Sequence, residues 1–199
     1  MIKKPKYKIG RRLGAGVYDK CQTPKFSASV GNPKMGKRPK ALSEYGTQLL
    51  EKQKVRFSYG ITEKQLSNYA EKASQTKGVS PVEKFFESLE LRLDNVVYRM
   101  GLAASRREAR QMVSHGHFIV HSKKVTVPSY ALKVGDTVVV REGSKSKKIF
   151  SNTAEKLKEY HFPSWVNFDV NKFEGKVTGK PKQTDGFLDL NAVFEFYSR

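Results

Sequence analysis

The chain has 199 residues, with 38 Lys and Arg against 19 Asp and Glu, for a formal net charge of +19. A length of this order accommodates one or two domains with modest cores, and a charge of this size repels itself unless a polyanion supplies the counter-charge. Nucleic acid is therefore the expected partner, because phosphates neutralised by Lys and Arg release condensed counterions.

A membrane surface is the weaker partner: no run approaches the roughly 18 apolar residues needed to span a bilayer. The start, Met1-Ile2-Lys3-Lys4-Pro5-Lys6, also lacks an apolar stretch for a signal peptide. A soluble, intracellular protein is expected. The single Cys21 suits a reducing compartment and has no partner for an internal disulfide.

Residues 1–42 contain twelve Lys or Arg against the single acid Asp19, punctuated by Gly and Pro. So few apolar side chains do not offset the entropy of ordering, so a basic extended N-terminal arm that orders on an anionic surface is expected. Lys37, Arg38 and Lys40 are candidate phosphate contacts. Gly14-Ala15-Gly16 lacks the strand before and the helix after that a nucleotide-binding loop requires, and reads as a turn.

From residue 43 the pattern turns helical. Ser43 is an N-cap for 44–56, with Lys52, Lys54 and Arg56 in the last turn, where cations suit the helix dipole and are available to RNA. Thr62-Glu63-Lys64-Gln65 is a capping box followed by Leu66, Tyr69, Ala70 and Ala73, and Gly78 is the expected stop. Ser80-Pro81-Val82-Glu83 opens a third helix carrying Phe85, Phe86, Leu89 and Leu93.

Leu93, Val96, Val97 and Met100 form the next apolar stripe, ended by Gly101, and Ser105-Arg106-Arg107-Glu108 opens a helix that ends before Gly116. The period then changes to two. Phe118–Val120, Val125–Val127 and Thr137–Val140 read as three strands, giving a helix pair on a small, mostly antiparallel sheet. After Arg141 the chain is basic again; 151–160 has weak helical character, 165–168 reads as a short strand or anchor, and 194–197 alternates as a terminal strand would.

Arg106, Arg107 and Arg110 lie within one turn of each other, and are expected to share one exposed side with Arg92 and Arg99 nearby. Cations in a first helical turn oppose the dipole, a cost that makes sense if phosphates dock there on backbone N–H groups and guanidiniums together. A solvated helix face is the plainer reading. His115, His117 and His121 recur at even spacing, placing His117 and His121 on one strand face. No Cys or carboxylate cluster supports them as metal ligands, so phosphate or base contact is favoured for His115 and His117. Tyr7, Tyr18, Tyr59, Tyr98 and Tyr130 could stack on bases or plug cores. No nucleophile with its base and no paired carboxylates stand out.

The runs Leu42-Ser43-Glu44-Tyr45-Gly46, Leu50 to Arg56, Leu89 to Gly101, Ser105 to His117 and Phe194-Glu195-Phe196-Tyr197-Ser198-Arg199 resemble the bacterial family of small-subunit ribosomal protein S4, nearly continuously over 42–199. The resemblance implies an α+β, non-enzymatic protein of the small subunit of a cytoplasmic, bacterial-type ribosome, an organellar ribosome being the second choice. It implies a primary rRNA binder that nucleates assembly of the subunit body, touches neighbouring proteins including S5 and contributes to decoding accuracy. RNA-binding roles carry over to Arg92, Asn95, Arg99, Arg106, Arg107, Arg110, His115 and His117.

The implied layout is a basic segment at 1–42, a helical domain at 43–90 completed by the C-terminal stretch, an S4-type RNA-binding module at 91–150, and a segment at 151–199 that packs back on the helical domain. No cofactor and no small-molecule substrate are expected. Some relatives hold zinc in an N-terminal cysteine cluster, and the lone Cys21 predicts none here. His121-Ser122-Lys123 replaces the usual Asn-Gly turn of the first hairpin, and residues up to about 40 match poorly. Competing readings are an RNA-modifying enzyme or a ribosome-rescue binder carrying the same module. The first needs a catalytic domain, and the second would lack the helices of 42–90.

Overall fold

The computed structural model describes residues 5–30, 41–147, 149–151, 153–158, 160–182 and 186–198. Two compact units result, Met1–Val82 with Gln183–Arg199, and Glu83–Lys182.

The first unit opens with α1 (Lys6–Leu13), two 3-10 turns at Ala15–Val17 and Asp19–Cys21, and α2 (Pro24–Val30). The basic arm expected to be extended thus contains two α-helices and two 3-10 turns over residues 5–30. The reason is a small local cluster: Leu13, Val17, Cys21 and Phe26 are all buried, and Gly10 approaches so closely that an added Cβ would lie 2.7 Å from Cys21 Sγ. Four apolar side chains at short sequence separation offset more ordering entropy than the overall composition suggests. Lys37, Arg38 and Lys40 lie outside the described residues.

Helix α3 (Glu44–Tyr59) starts at Ser43, whose side chain accepts from the Gly46 N–H, and runs one turn past the expected end to Gly60 in the left-handed conformation. Helix α4 (Glu63–Ser74) carries the full reciprocal capping box of Thr62 and Gln65, and ends ahead of Gly78. The Gly14-Ala15-Gly16 turn has a packing purpose. The Phe187 ring sits against it, 2.8 Å from where a Gly16 Cβ would be, so the glycines seat an aromatic ring.

The second unit begins within α5 (Pro81–Glu90) and continues through α6 (Leu93–Arg99) and α7 (Arg106–Ser114) to β1 (Phe118–Val120), β2 (Lys123–Val125) and β3 (Thr137–Val140). Short helices α8 (Glu142–Lys145) and α9 (Thr153–Lys158) precede β4 (Val166–Asp169) and β5 (Glu174–Val177). The strands form one antiparallel sheet in the order β2-β1-β3-β5-β4. Leu93, Val96, Val97, Met100, Met112 and Val113 from α6 and α7 share one core with Phe118, Val120, Val138, Val140, Phe168 and Val177 from the sheet. The fold is α+β.

Three details depart from the sequence reading. Strand β2 lies two residues earlier than expected, because His121 and Ser122 alone make the turn, with φ of 49° and 60°, and a two-residue turn pairs Val120 with Lys123. The 151–199 segment divides: β4 and β5 extend the sheet of the second unit through alternating Val166, Phe168, Gly175 and Val177. Its end is α10 (Leu190–Ser198), a helix where a strand was expected. Phe194 and Phe196 alternate, but Leu190, Val193 and Tyr197 fall on one helical face, and Asp189 caps the helix by accepting from the Ala192 N–H at 3.1 Å.

Two successive non-glycine residues at positive φ are costly, since the left-handed region crowds Cβ against the carbonyl. Replacing Ser122 with Gly should raise stability by about 1 kcal/mol, read as a higher urea midpoint at unchanged m-value. A lower midpoint would contradict this description of the turn.

Candidate nucleic-acid interface

The charged residues of the second unit are arranged around two buried acids. Glu90, the last residue of α5, has a side chain only 1% exposed, and Asp94 in the first turn of α6 is 3% exposed. Both lie in the run Glu90-Leu91-Arg92-Leu93-Asp94, whose apolar members enter the core. A carboxylate taken from water at such a site needs cationic and hydrogen-bonding partners.

Glu90 receives them from three residues. Arg99 donates to it twice, from Nε at 2.9 Å and Nη2 at 3.0 Å. Asn95 Nδ2 donates at 3.0 Å, and the Asn95 Oδ1 in turn accepts from Arg106 Nε at 2.7 Å. Arg106 Nη2 lies 3.9 Å from Glu90, and its guanidinium sits over the Tyr98 ring at 4.7 Å. Asp94 is gripped by Arg92, through Nε at 3.0 Å and Nη2 at 2.8 Å, and by Arg110, through Nε at 2.8 Å. Each of the two carboxylates is thus approached by two guanidiniums. Arg107 beside them is exposed and has no carboxylate partner among the described residues.

Local sequence sets this up. Ser105 caps α7 by accepting from the Glu108 N–H. The Glu108 carboxylate reaches back one residue further than a capping box requires, accepting from Ala104 N at 2.8 Å. With α7 so fixed, Arg106 and Arg110 project one turn apart on the side facing α6.

The expected exposed trio is therefore only partly present. Arg107 is exposed, whereas Arg106 and Arg110 are partly buried, with side chains 20% and 21% exposed. Arg92 and Asn95, expected to contact RNA, are buried in the free chain, with their side chains bonded to Asp94 and Glu90. Arg99 is partly exposed and doubly bonded to Glu90. The sequence reading missed Glu90 and Asp94 themselves, although acids set in an apolar run are a signal that partners must follow.

His115, the C-cap of α7, is exposed, but His117 is buried. Its Nδ1 lies 2.9 Å from Ser144 Oγ. Burial, followed by the nearby charges of Lys147, His115, Arg141 and Lys124, pushes its pKa below the usual imidazole value, so it is neutral near pH 7. His121 sits in the turn, 3.2 Å from Asp136, and not on the strand face of His117. Among the described residues no three His, Cys, Asp or Glu side chains gather as a metal-binding group.

In α3 the three basic residues expected to meet RNA, Lys52, Lys54 and Arg56, are engaged internally. Lys52 is buried, pairs with Glu63 at 2.8 Å and lies 3.9 Å from the centre of the Phe196 ring of α10. Glu63 also accepts from Tyr197 Oη at 2.8 Å. Burial alone would push the Glu63 carboxyl up, but these hydrogen bonds and the charges of Lys52 and Arg56 carry it below the ordinary range. Lys54 pairs with Glu51 and lies over Phe187, and Arg56 bonds Gln53 and lies near Glu63. Lys52 thereby holds the terminal helix to α3 and α4, and Arg56 links α3 to Glu63 of α4.

A guanidinium-rich helix pair on a small antiparallel sheet, in a chain of net charge +19, defines an RNA-binding architecture. Residues 91–138 match the model of the S4 domain, and residues 1–90 match that of the ribosomal protein S4/S9 N-terminal domain. Among curated relatives, small ribosomal subunit protein uS4 of Acetivibrio thermocellus is 44% identical, the match covering 96% of this chain and 96% of the relative. The protein of that name from Limosilactobacillus fermentum is 42% identical over 98% of this chain and 97% of its own, and that from Aquifex aeolicus 40% over the same shares. The chain belongs to the uS4 family of small ribosomal subunit proteins, a structural and non-enzymatic family.

If Glu90 neutralises Arg99 and Arg106 in the interior, replacing it with Gln should destabilise the chain by roughly 3 kcal/mol, measured by denaturant titration. A loss under about 0.5 kcal/mol, within the range of surface substitutions, would show that the carboxylate is not what holds these side chains.

Proposed function

We propose that the chain is a structural constituent of the small ribosomal subunit that binds small-subunit rRNA through the α6–α7 face of its S4 module. The observation that carries this reading is the buried pair Glu90 and Asp94, which fixes Arg99, Arg106 and Arg110 beside exposed Arg107 in a chain of net charge +19. Guanidiniums held in advance lose less side-chain entropy when phosphate arrives, and their planar forks suit phosphate oxygens. Exposed His115 at the far end of α7 extends the same surface. Lys37, Arg38 and Lys40 add charge in a stretch with few apolar residues.

On this reading the chain is a primary binder. Its helical unit, closed by α10, and its S4 module hold the same RNA, so that binding nucleates assembly of the subunit body at a helical junction. Contact with neighbouring small-subunit proteins including S5, and an influence on decoding accuracy, belong to the same proposal. The RNA-modifying alternative has no observation in its favour, because the relatives that match along almost the whole chain are ribosomal proteins.

Binding to small-subunit rRNA should weaken steeply with salt, log K falling linearly with log salt concentration. Arg107→Gln should make that slope shallower by about 1 without changing the fold, as read by filter binding across a salt series with circular dichroism as control. A slope that stays the same after this change would remove Arg107 from the interface.

A further inference from the structure

A second group of cations lies at the other end of α7, around the buried His117. Helix α7 ends in a Schellman motif: Gly116 N–H donates to Val113 O at 2.8 Å and His117 N–H to Met112 O at 3.3 Å, with Gly116 at φ 70°. His117 then ties down the chain that follows β3. Its carbonyl accepts from the Arg141 N–H at 2.8 Å, its Nδ1 meets Ser144 Oγ, and its ring packs edge-on to Phe150 at 6.0 Å. These bonds bring Arg141 and the α8 turn leading to Lys147 beside the start of β1.

Lys124 arrives from the opposite direction. The β1–β2 register sets it across from Ile119, and its side chain lies over Gly116 so closely that a Cβ there would fall 2.1 Å from Lys124 Cε. A side chain at position 116 would push the end of Lys124 aside, and the positive φ there favours glycine in any case.

We propose that Lys124, Arg141 and Lys147, gathered around His117, form a second phosphate-binding site, filled by the sugar-phosphate backbone of the RNA that the α6–α7 face binds. The site rests on the rRNA-binding reading but uses different residues. Among the described residues none of the three has a carboxylate partner, whereas neighbouring Lys145 pairs with Glu142 at 2.5 Å. Like charges brought together from β2 and from the two ends of α8, whose one acid Glu142 pairs with Lys145, repel in the isolated protein and call for an external anion. Their combined field is felt by His117, whose protonation is disfavoured by burial first and by these neighbours next. A neutral, buried His117 serves as the post to which the cations are tied, and the phosphate meets Lys124, Arg141 and Lys147 directly.

The test uses the full chain with Lys124→Gln, Arg141→Gln and Lys147→Gln combined, against small-subunit rRNA in a salt series, beside Arg107→Gln. The expected result is a slope shallower by about 2 to 3, at about 1 for each phosphate no longer neutralised, with a urea midpoint no lower than that of the parent chain. In the parent chain the His117 ring resonances should move when rRNA is added, and inorganic phosphate should raise the midpoint more than it does in the triple variant. A slope unchanged by the triple variant but reduced by Arg107→Gln overturns this site and leaves the rRNA-binding reading intact. A slope indifferent to both, or no binding to rRNA, overturns both.

Discussion

The molecule depends on how two carboxylates are taken out of water. Glu90 and Asp94 are buried within five residues of each other, and neither is tolerable in that position without cations. The cations that answer them, Arg92, Arg99, Arg106 and Arg110, come from the helix-to-helix connection, from α6 and from the start of α7. One electrostatic requirement thereby ties these pieces together and fixes the orientation of a basic surface. A buried ion pair contributes little net stability compared with a well-packed apolar core, so its value here lies in geometry. Arg92 is buried with its acid, whereas Arg99, Arg106 and Arg110 satisfy the interior and still keep part of their side chains at the surface.

The helical unit solves a related problem with different residues. Lys52, Lys54 and Arg56 stand in the last turns of α3, where cations suit the helix dipole, but they turn inward to Glu63, Glu51 and the aromatic rings of Phe196 and Phe187. Basic residues in a protein of this charge are therefore not interchangeable: some fasten one helix to another, and others, such as Arg107, stand exposed.

Much of the fold could be read from local chemistry. Ser43, Thr62 and Ser105 mark helix starts because their side chains accept backbone N–H bonds three residues on, and each does so in the structure. The alternation of Phe118–Val120 and Thr137–Val140 marked strands whose inward residues meet α6 and α7. What could not be read depended on distant partners. Phe194 and Phe196 alternate like a strand, but the helical face of Leu190, Val193 and Tyr197 prevails where α10 packs on α3 and α4, more than a hundred residues earlier. The apolar residues of 5–30 are sparse, and their mutual proximity is a property of the folded turn. At the interface the arginines were visible as a cluster, but which of them face outward was not. That choice is made by Glu90 and Asp94, whose burial is a consequence of the packing of Leu91 and Leu93.

Glu90 and Asp94 orient the arginines of the α6–α7 face, and if that face binds RNA as proposed, Asp94→Asn is the most direct test because the two available expectations have opposite signs. Removing a negative charge from a protein that binds a polyanion should, on long-range electrostatics alone, tighten binding. If Asp94 instead holds Arg92 and Arg110 in place, the affinity of the folded Asp94→Asn chain for small-subunit rRNA should fall by about tenfold at constant salt, a cost of about 1.4 kcal/mol. Equal or tighter binding by a variant that is fully folded under the assay conditions would contradict the account.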